Sequence, residues 1–338
     1  MVRLASAKGK KALYVGIWLV LVCIGVILIG LNTGTMRLSP VNVLQTLLGY
    51  GSASDATVLF EYRLPRILVS ALAGIGLGIS GAILQGVSRN ALADPGILGL
   101  HSGAAFGLII YVTMFHSLAG EFSLMIPLFT FAGGVAAAVL IVFLSFDRYA
   151  GVLPIRLILV GIGIAAGFSA IALFLSLRLD DKTYAFTAKW LAGSVWGRDW
   201  VNVWVLLPWV TVPVLYVLSQ IKTLNAISLG DDVATGLGAN VRSARLLLLA
   251  AAIALSSASV SMAGGIGFIG LIAPHLARRL AGPMTQHFLP ISGLIGLVIL
   301  VTADTIGRSM FVPNAIPAGV VVASVGAPYF LYLLTRTK

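Results

Sequence analysis

Arg63-Leu64-Pro65-Arg66, the glycine-rich apolar run through Gly74, Gly78 and Gly81 to Gln85, and then Asn90-Ala91-Leu92-Ala93-Asp94-Pro95-Gly96-Ile97-Leu98-Gly99 decide how this chain is read. About twenty apolar residues in succession cross a hydrocarbon core of about 30 Å as one helix. The stretch therefore joins a pair of cations at one membrane face to a proline-glycine corner, Pro95-Gly96, at the other. Gly74 and Gly78 lie one helical turn apart, and with Gly81 they let a neighbouring backbone come close. A span built this way belongs in the centre of a bundle rather than against lipid. Gly76-Leu77-Gly78-Ile79-Ser80-Gly81 and Gly265-Ile266-Gly267-Phe268-Ile269-Gly270 also spell the dinucleotide fingerprint, but neither follows a soluble strand in a βαβ unit, so packing is their physical meaning.

Working outward, the 338 residues are 59% hydrophobic and 10% charged. A soluble fold of that composition would be left with a largely apolar surface. The expected fold class is all-α, a polytopic membrane protein, with residues 1–338 as one transmembrane domain. The net charge of +11 does not indicate nucleic acid, because the basic residues sit in short connections between apolar runs and form no single face. The single cysteine, Cys23, lies within the first apolar run and can form neither an intrachain disulfide nor a thiolate metal cluster. The four histidines share no ligand spacing, so neither a metal site nor any other cofactor is expected.

Ten spans are expected, near 12–31, 67–87, 97–116, 124–144, 153–177, 201–219, 244–262, 266–280, 288–306 and 315–334. The seventh and eighth are divided at Gly264, Gly265 and Gly267, because an unbroken helix from Leu246 to Leu280 would reach about 50 Å. The run from Ala12 exceeds a signal-peptide core and lacks a clear cleavage site, so it reads as a retained helix behind a basic cytosolic tail at 1–11. Ten crossings from the cytosol place both termini there and 14 of the 22 Lys and Arg on that side, as the positive-inside rule favours. The connection Arg178–Trp200 carries Trp190, Trp196 and Trp200 and suits a short interfacial helix. The cytosolic segment 220–243 is the longest inner loop.

Arg63 and Arg66 lie at a helix N-terminus, already the positive pole of its dipole, and on the face where cations are scarce. Two readings stand: headgroup snorkelling, or a rigid bidentate grip on carboxylates of an external partner, which Arg308 could join. Asp304 is the acid inside a span, and an i,i+4 pair with Arg308 is its simplest role. Asp94 is placed to cap the third span. In the inner segment, Leu229, Val233 and Leu237 recur at helical spacing among Gly230, Asp231, Asp232, Ala234 and Gly238. They describe a short amphipathic helix suited to a groove on a cytosolic partner. Position 235 is Thr and position 184 is Tyr, so neither Asp231-Asp232 nor Asp180-Asp181 completes a diphosphate-binding D-D-x-x-D site.

At these residues the chain resembles the permease subunits of bacterial ATP-binding-cassette importers for iron-siderophores, haem and cobalamin, the FecCD-type permeases. Four blocks carry the resemblance: Arg63 to Arg66 with Ser80 to Gln85; Asn90 to Gly99 with Gly103-Ala104; Leu229 to Gly238; and Gly267 to His275, continuing through Arg278, Asp304, Arg308, Pro317 and Pro328. Ala91 stands where family members commonly have proline, which bears on the local turn. The resemblance implies a type II importer fold of ten helices per subunit. It implies two permease subunits, a paralogue rather than a second copy, with two ATPase subunits on the cytosolic side and an extracytoplasmic binding protein outside. It also implies docking of that protein on Arg63, Arg66 and Arg308, and coupling to the ATPase through Leu229 to Gly238. The expected cargo is a ferric siderophore, with haem and cobalamin as alternatives, and the expected site is the bacterial cytoplasmic membrane. Gly9-Lys10 is the sole Gly-Lys pair and no G-x-x-x-x-G-K-[ST] motif is present, so ATP hydrolysis is expected on a separate chain and this one is not an enzyme. An ion-coupled carrier would need ionisable groups at mid-membrane, and a membrane enzyme would need paired catalytic residues. Apart from Asp304 the spans supply neither.

Overall fold

The structure is a computed structural model that describes residues 2–34, 38–96, 99–115, 124–148, 151–310 and 315–336. The helices in chain order are α1 (Val2–Asn32), α2 (Pro40–Leu47), α3 (Ala53–Ala56), a π-helical turn (Thr57–Arg63), α4 (Leu64–Ser88), α5 (Leu100–Met114) and α6 (Met125–Ser145). A hairpin of two-residue antiparallel strands, β1 (Phe146–Asp147) and β2 (Gly151–Val152), leads to α7 (Pro154–Ser176) and α8 (Asp181–Leu191). There follow α9 (Trp200–Ser219), α10 (Ile221–Ser228), α11 (Asp231–Gly236), α12 (Val241–Ala263), α13 (Ile269–Ala281), α14 (Thr285–Ser309) and α15 (Ala318–Arg336).

Among the described residues, eight helical segments are long and apolar enough to cross a membrane, and the shorter α5 and α13 occupy the third and eighth expected spans. The polytopic all-α class follows. Two boundaries differ from expectation. Helix α1 runs back to Val2, so residues 2–11 of the basic segment continue the first helix instead of forming a separate tail. Helix α13 has 13 residues, about 20 Å, because the chain from Gly264 to Phe268 is non-helical and uses up part of the run.

Helix α4 is the buried axis of the bundle. Val69, Ala73, Leu77, Ile83 and Leu84 are all enclosed, and α9, α12, α13 and α14 surround it. Close approach is possible because glycines face backbone. A Cβ on Gly74 would stand 2.4 Å from Gly296 O, one on Gly78 2.4 Å from Ser292 O, and one on Gly81 1.9 Å from Gly270 O. Any side chain there would force the helices apart. Ser80 Oγ donates to Ala252 O at 2.8 Å and Gln85 Nε2 to Gly270 O at 3.3 Å, while Ser70 and Ser88 donate to carbonyls one turn back on α4 itself.

At the α12–α13 break, a Cβ on Gly264 would lie 2.4 Å from Trp190 O and one on Gly265 2.6 Å from Leu191 O. Gly267 faces open space, so close packing accounts for two of the three break glycines. Trp190 is buried under this corner while Trp196 is exposed. The end of α8 thus reaches into the bundle, and an interfacial placement describes only part of that connection.

Candidate functional site

The two segments singled out by their charge and apolar pattern lie at opposite ends of α4. Its 25 residues make a rod of about 37 Å.

At the N-terminal end, Arg63, Arg66 and Arg308 come together around Asp304 and the last turn of α1. Arg66 donates to Asp304 in bidentate fashion, Nε to Oδ2 at 2.9 Å and Nη2 to Oδ1 at 2.6 Å. Arg308 Nε lies 3.8 Å from Asp304 Oδ2. Arg63 donates through Nη1 to Leu31 O and Arg308 through Nη2 to Gly30 O. These are carbonyls of the α1 terminus that no helical turn could satisfy. Arg63, Asp304 and Arg308 are 5%, 3% and 8% exposed, against 17% for the Arg66 side chain. Three corrections to the sequence reading follow. The principal partner of Asp304 is Arg66, 238 residues away, and the i,i+4 contact with Arg308 is the longer one. Arg308 lies within the last turn of α14, not beyond it, where a cation also suits the dipole. Neither Arg63 nor Arg308 snorkels outward.

At the C-terminal end, Arg89 closes α4 with φ 51°, a left-handed cap on a residue other than glycine. Its guanidinium donates through Nε to Ile227 O at 3.2 Å and through Nη2 to Asp231 Oδ1. Arg245 of α12 donates to the same Asp231 oxygen at 2.7 Å and through Nη1 to Val152 O at 3.4 Å. Asp231 is therefore pinned between the ends of two membrane helices. The pin fixes α11 so that Ala234 faces inward and Leu229, Val233 and Leu237 stand 67%, 48% and 69% exposed. Asp232 and Gly238 are exposed as well, and Gly230 takes a φ of 122° just before the helix. Three exposed apolar side chains on and beside α11 form a surface that water disfavours, although Gly230 divides the single helix expected from Leu229 to Leu237 into the end of α10 and the short α11.

At the same end, the turn after α4 is closed by Asx contacts. Leu92 N–H donates to Asn90 Oδ1 at 2.9 Å and Gly96 N–H to Asp94 Oδ2 at 2.8 Å. Asp94 therefore shapes the corner and does not cap α5, whose N-cap is Gly99 at φ 87°. A Cβ on Gly270 would stand 2.7 Å from both Asp94 Oδ1 and Pro95 Cδ, which locks this corner against α13. Gly96 is similarly confined, its Cβ position lying 2.8 Å from Asp94 Oδ2 and 2.9 Å from His101 Nδ1. Ile97 and Leu98 lie outside the described residues.

Sequence reasoning missed Arg89 and Arg245, which hold Asp231, and Phe268, which precedes α13 at φ 66° with Gly326 of α15 packed on its ring. A left-handed Phe is costly enough to need enforcement by its neighbours. An arginine directly after a predicted span was the available signal for Arg89. Among the described residues no group of three or more His, Cys, Asp or Glu is placed to hold a metal ion.

Comparison with known proteins now has a geometry to act on. The family model described as the FecCD transport family matches residues 20–336. The iron(3+)-hydroxamate import system permease protein FhuG of Bacillus subtilis (strain 168) is 44% identical over 337 residues, covering 98% of this chain and 100% of the relative. The iron-uptake system permease protein FeuC of the same organism is 40% identical, with 97% and 98% covered. A solved structure of a metal-chelate type ABC transporter in an inward-facing conformation superposes with a TM-score of 0.83 at 30% identity, covering 96% of this chain and 99% of that one. With its helices in the order and packing of that transporter chain and a family match along nearly its whole length, the chain belongs to the FecCD transport family.

Proposed function

We propose that this chain is a permease subunit carrying a ferric siderophore, of hydroxamate type in the first instance, inward across the bacterial cytoplasmic membrane. ATP hydrolysis takes place on separate subunits. The observation that carries the reading is the exposed set Leu229, Val233 and Leu237, positioned by the Asp231 contacts on a chain without a nucleotide-binding motif. Such a face suits burial in an ATPase groove. The resemblance to iron(3+)-hydroxamate and iron-uptake permeases over the full length supports the cargo class.

In this reading the α11 end and both termini are cytosolic, and the arginine end faces outward. An extracytoplasmic binding protein docks at that end, drawn by three guanidiniums gathered around one buried carboxylate, with Arg66 the most accessible of them. Two permease subunits complete the path. Helix α7 supports this, for a Cβ on its outward Gly163 or Gly167 would meet no atom within 4 Å, the small-residue face that membrane helices pack together.

Uptake of a ferric hydroxamate into proteoliposomes tests the proposal, with the chain reconstituted beside its paralogue, the ATPase and the binding protein. Uptake that requires ATP and is lost in Val233→Asp/Leu237→Asp is expected. Uptake independent of the ATPase subunits would overturn it.

A further inference from the structure

A groove runs along the bundle surface between α6 and α12, with α9 beside it. Towards the hairpin end it encloses about 980 Å³ between Val135, Val139 and Val142 of α6 and Leu246, Leu249 and Ile253 of α12. Phe131 and Trp209, ring centroids 4.7 Å apart, separate it from a smaller hollow of about 310 Å³ farther along. The apolar lining ends at Phe146 and Arg148. Arg242, one turn before Leu246 on α12, places its Cζ 5.1 Å above the Phe146 ring. Two guanidiniums therefore stand at one mouth of a groove that is otherwise hydrocarbon. The nearby Asp147 is engaged by Arg156 at 3.4 Å, and among the described residues neither Arg148 nor Arg242 forms an ion pair.

Length points to the same occupant. From Phe131 to Phe146 the helix rises about 22 Å at 1.5 Å per residue. Half the thickness of a bilayer, headgroup layer included, is about 20–22 Å. A groove one leaflet deep, apolar along its length and cationic at the headgroup level, matches a lipid with a negative headgroup. A protein segment would leave the arginines at one end with no defined partner. Basic pockets between membrane helices are a recurrent form of anionic lipid site.

We propose that this groove binds one anionic phospholipid, an acyl chain lying along Val139 and Ile253 and the phosphate held between Arg148 and Arg242. The headgroup then sits three residues along α12 from Arg245, which holds the Asp231 pin.

The test uses the full chain in nanodiscs of equimolar phosphatidylglycerol and phosphatidylcholine, with a photo-crosslinking residue at position 139, 60% exposed in the groove. Intact mass then identifies the adduct. Phosphatidylglycerol adducts should exceed phosphatidylcholine adducts about tenfold, the scale of discrimination that two juxtaposed cations give at a membrane surface. Arg148→Ala/Arg242→Ala should bring the ratio near one, and Arg148→Lys/Arg242→Lys should retain most of it. Both arginines are exposed, so the bundle should survive these changes, and a monodisperse elution profile checks that it does. Ala254→Trp, which fills the groove from α12, should abolish the adduct of either lipid. Equal capture of the two lipids by the unaltered chain would overturn the proposal, as would a preference that survives the double alanine change or a polypeptide adduct in place of lipid.

Discussion

The two ends of α4 handle charge in opposite ways. At the N-terminal end Arg63, Asp304 and Arg308 are almost wholly enclosed; Asp304 accepts from Arg66, and Arg63 and Arg308 donate to carbonyls at the end of α1. At the C-terminal end Asp231 is 46% exposed and Arg89 38%, so water shares the solvation of that pair; Arg245 alone is buried there, at 4%, and the apolar side chains beside them stand free. A buried ion pair contributes little net stability, but leaving one partner alone is costly. A half-exposed pair is cheap to lose and serves mainly to set direction. The first arrangement suits a fixed clamp and the second suits a positioned contact surface.

That contrast yields a ranked set of outcomes. Asp304→Ala strands Arg66 and Arg308 and should destabilise the protein by about 3–5 kcal/mol, read as a lower melting temperature in detergent. Arg66→Ala/Asp304→Ala should cost clearly less than the two single changes added together. If the costs simply add, the clamp is not a unit. Val233→Asp/Leu237→Asp, at the opposite end, should leave stability within about 0.5 kcal/mol, as surface changes do. It should still weaken ATPase binding at least tenfold in a pull-down, since each apolar side chain contributes about 1.5–3 kcal/mol on full burial. Asp231→Asn keeps the shape and removes the charge that faces the buried Arg245 as well as the half-exposed Arg89; about 1–3 kcal/mol of stability should be lost, with ATPase stimulation reduced a few-fold. Smallest of all, Arg66→Lys gives up the bidentate fork and should reduce binding-protein docking a few-fold, with an effect that shrinks as salt rises. Charge reversal at Arg66 is a poorer probe, because a new carboxylate would face Asp304.

Much of this was legible from residue order, and the division between what was and what was not has a physical basis. A membrane span is a local property, so ten runs of apolar residues correspond to ten helices, and the Gly264–Gly265 corner divides α12 from α13. The exposed Leu229, Val233 and Leu237 are equally local, but the single helix expected to carry them is broken: Leu229 caps α10, Gly230 takes a φ of 122°, and α11 starts only at Asp231. Partnerships across the bundle are not local. Nothing near Asp304 in sequence announces Arg66, and the i,i+4 rule offered a nearer cation that holds the longer contact. Asp94 was misread for a related reason: a side chain before a helix can cap it or close the turn ahead of it, and the distance to α5 decides. Burial of the arginines was hidden as well, since α1 supplies the carbonyls that make it tolerable.

The central claim is that the two ends of α4 face opposite sides of the membrane, with the α11 face seated on an ATPase. Cys23 is the sole cysteine of the chain, so a Cys23→Ala background allows single reporters at Leu237 and at the exposed Tyr62 beside the arginine end. Labelling with a membrane-impermeant maleimide in sealed vesicles of both orientations, with and without the ATPase subunits, is the most direct measurement. Leu237→Cys should react from the cytosolic side alone and be protected when the ATPase is bound, while Tyr62→Cys should react from the opposite side alone. Reaction of both reporters from one side, or a position 237 as reactive with the ATPase as without it, would contradict the account.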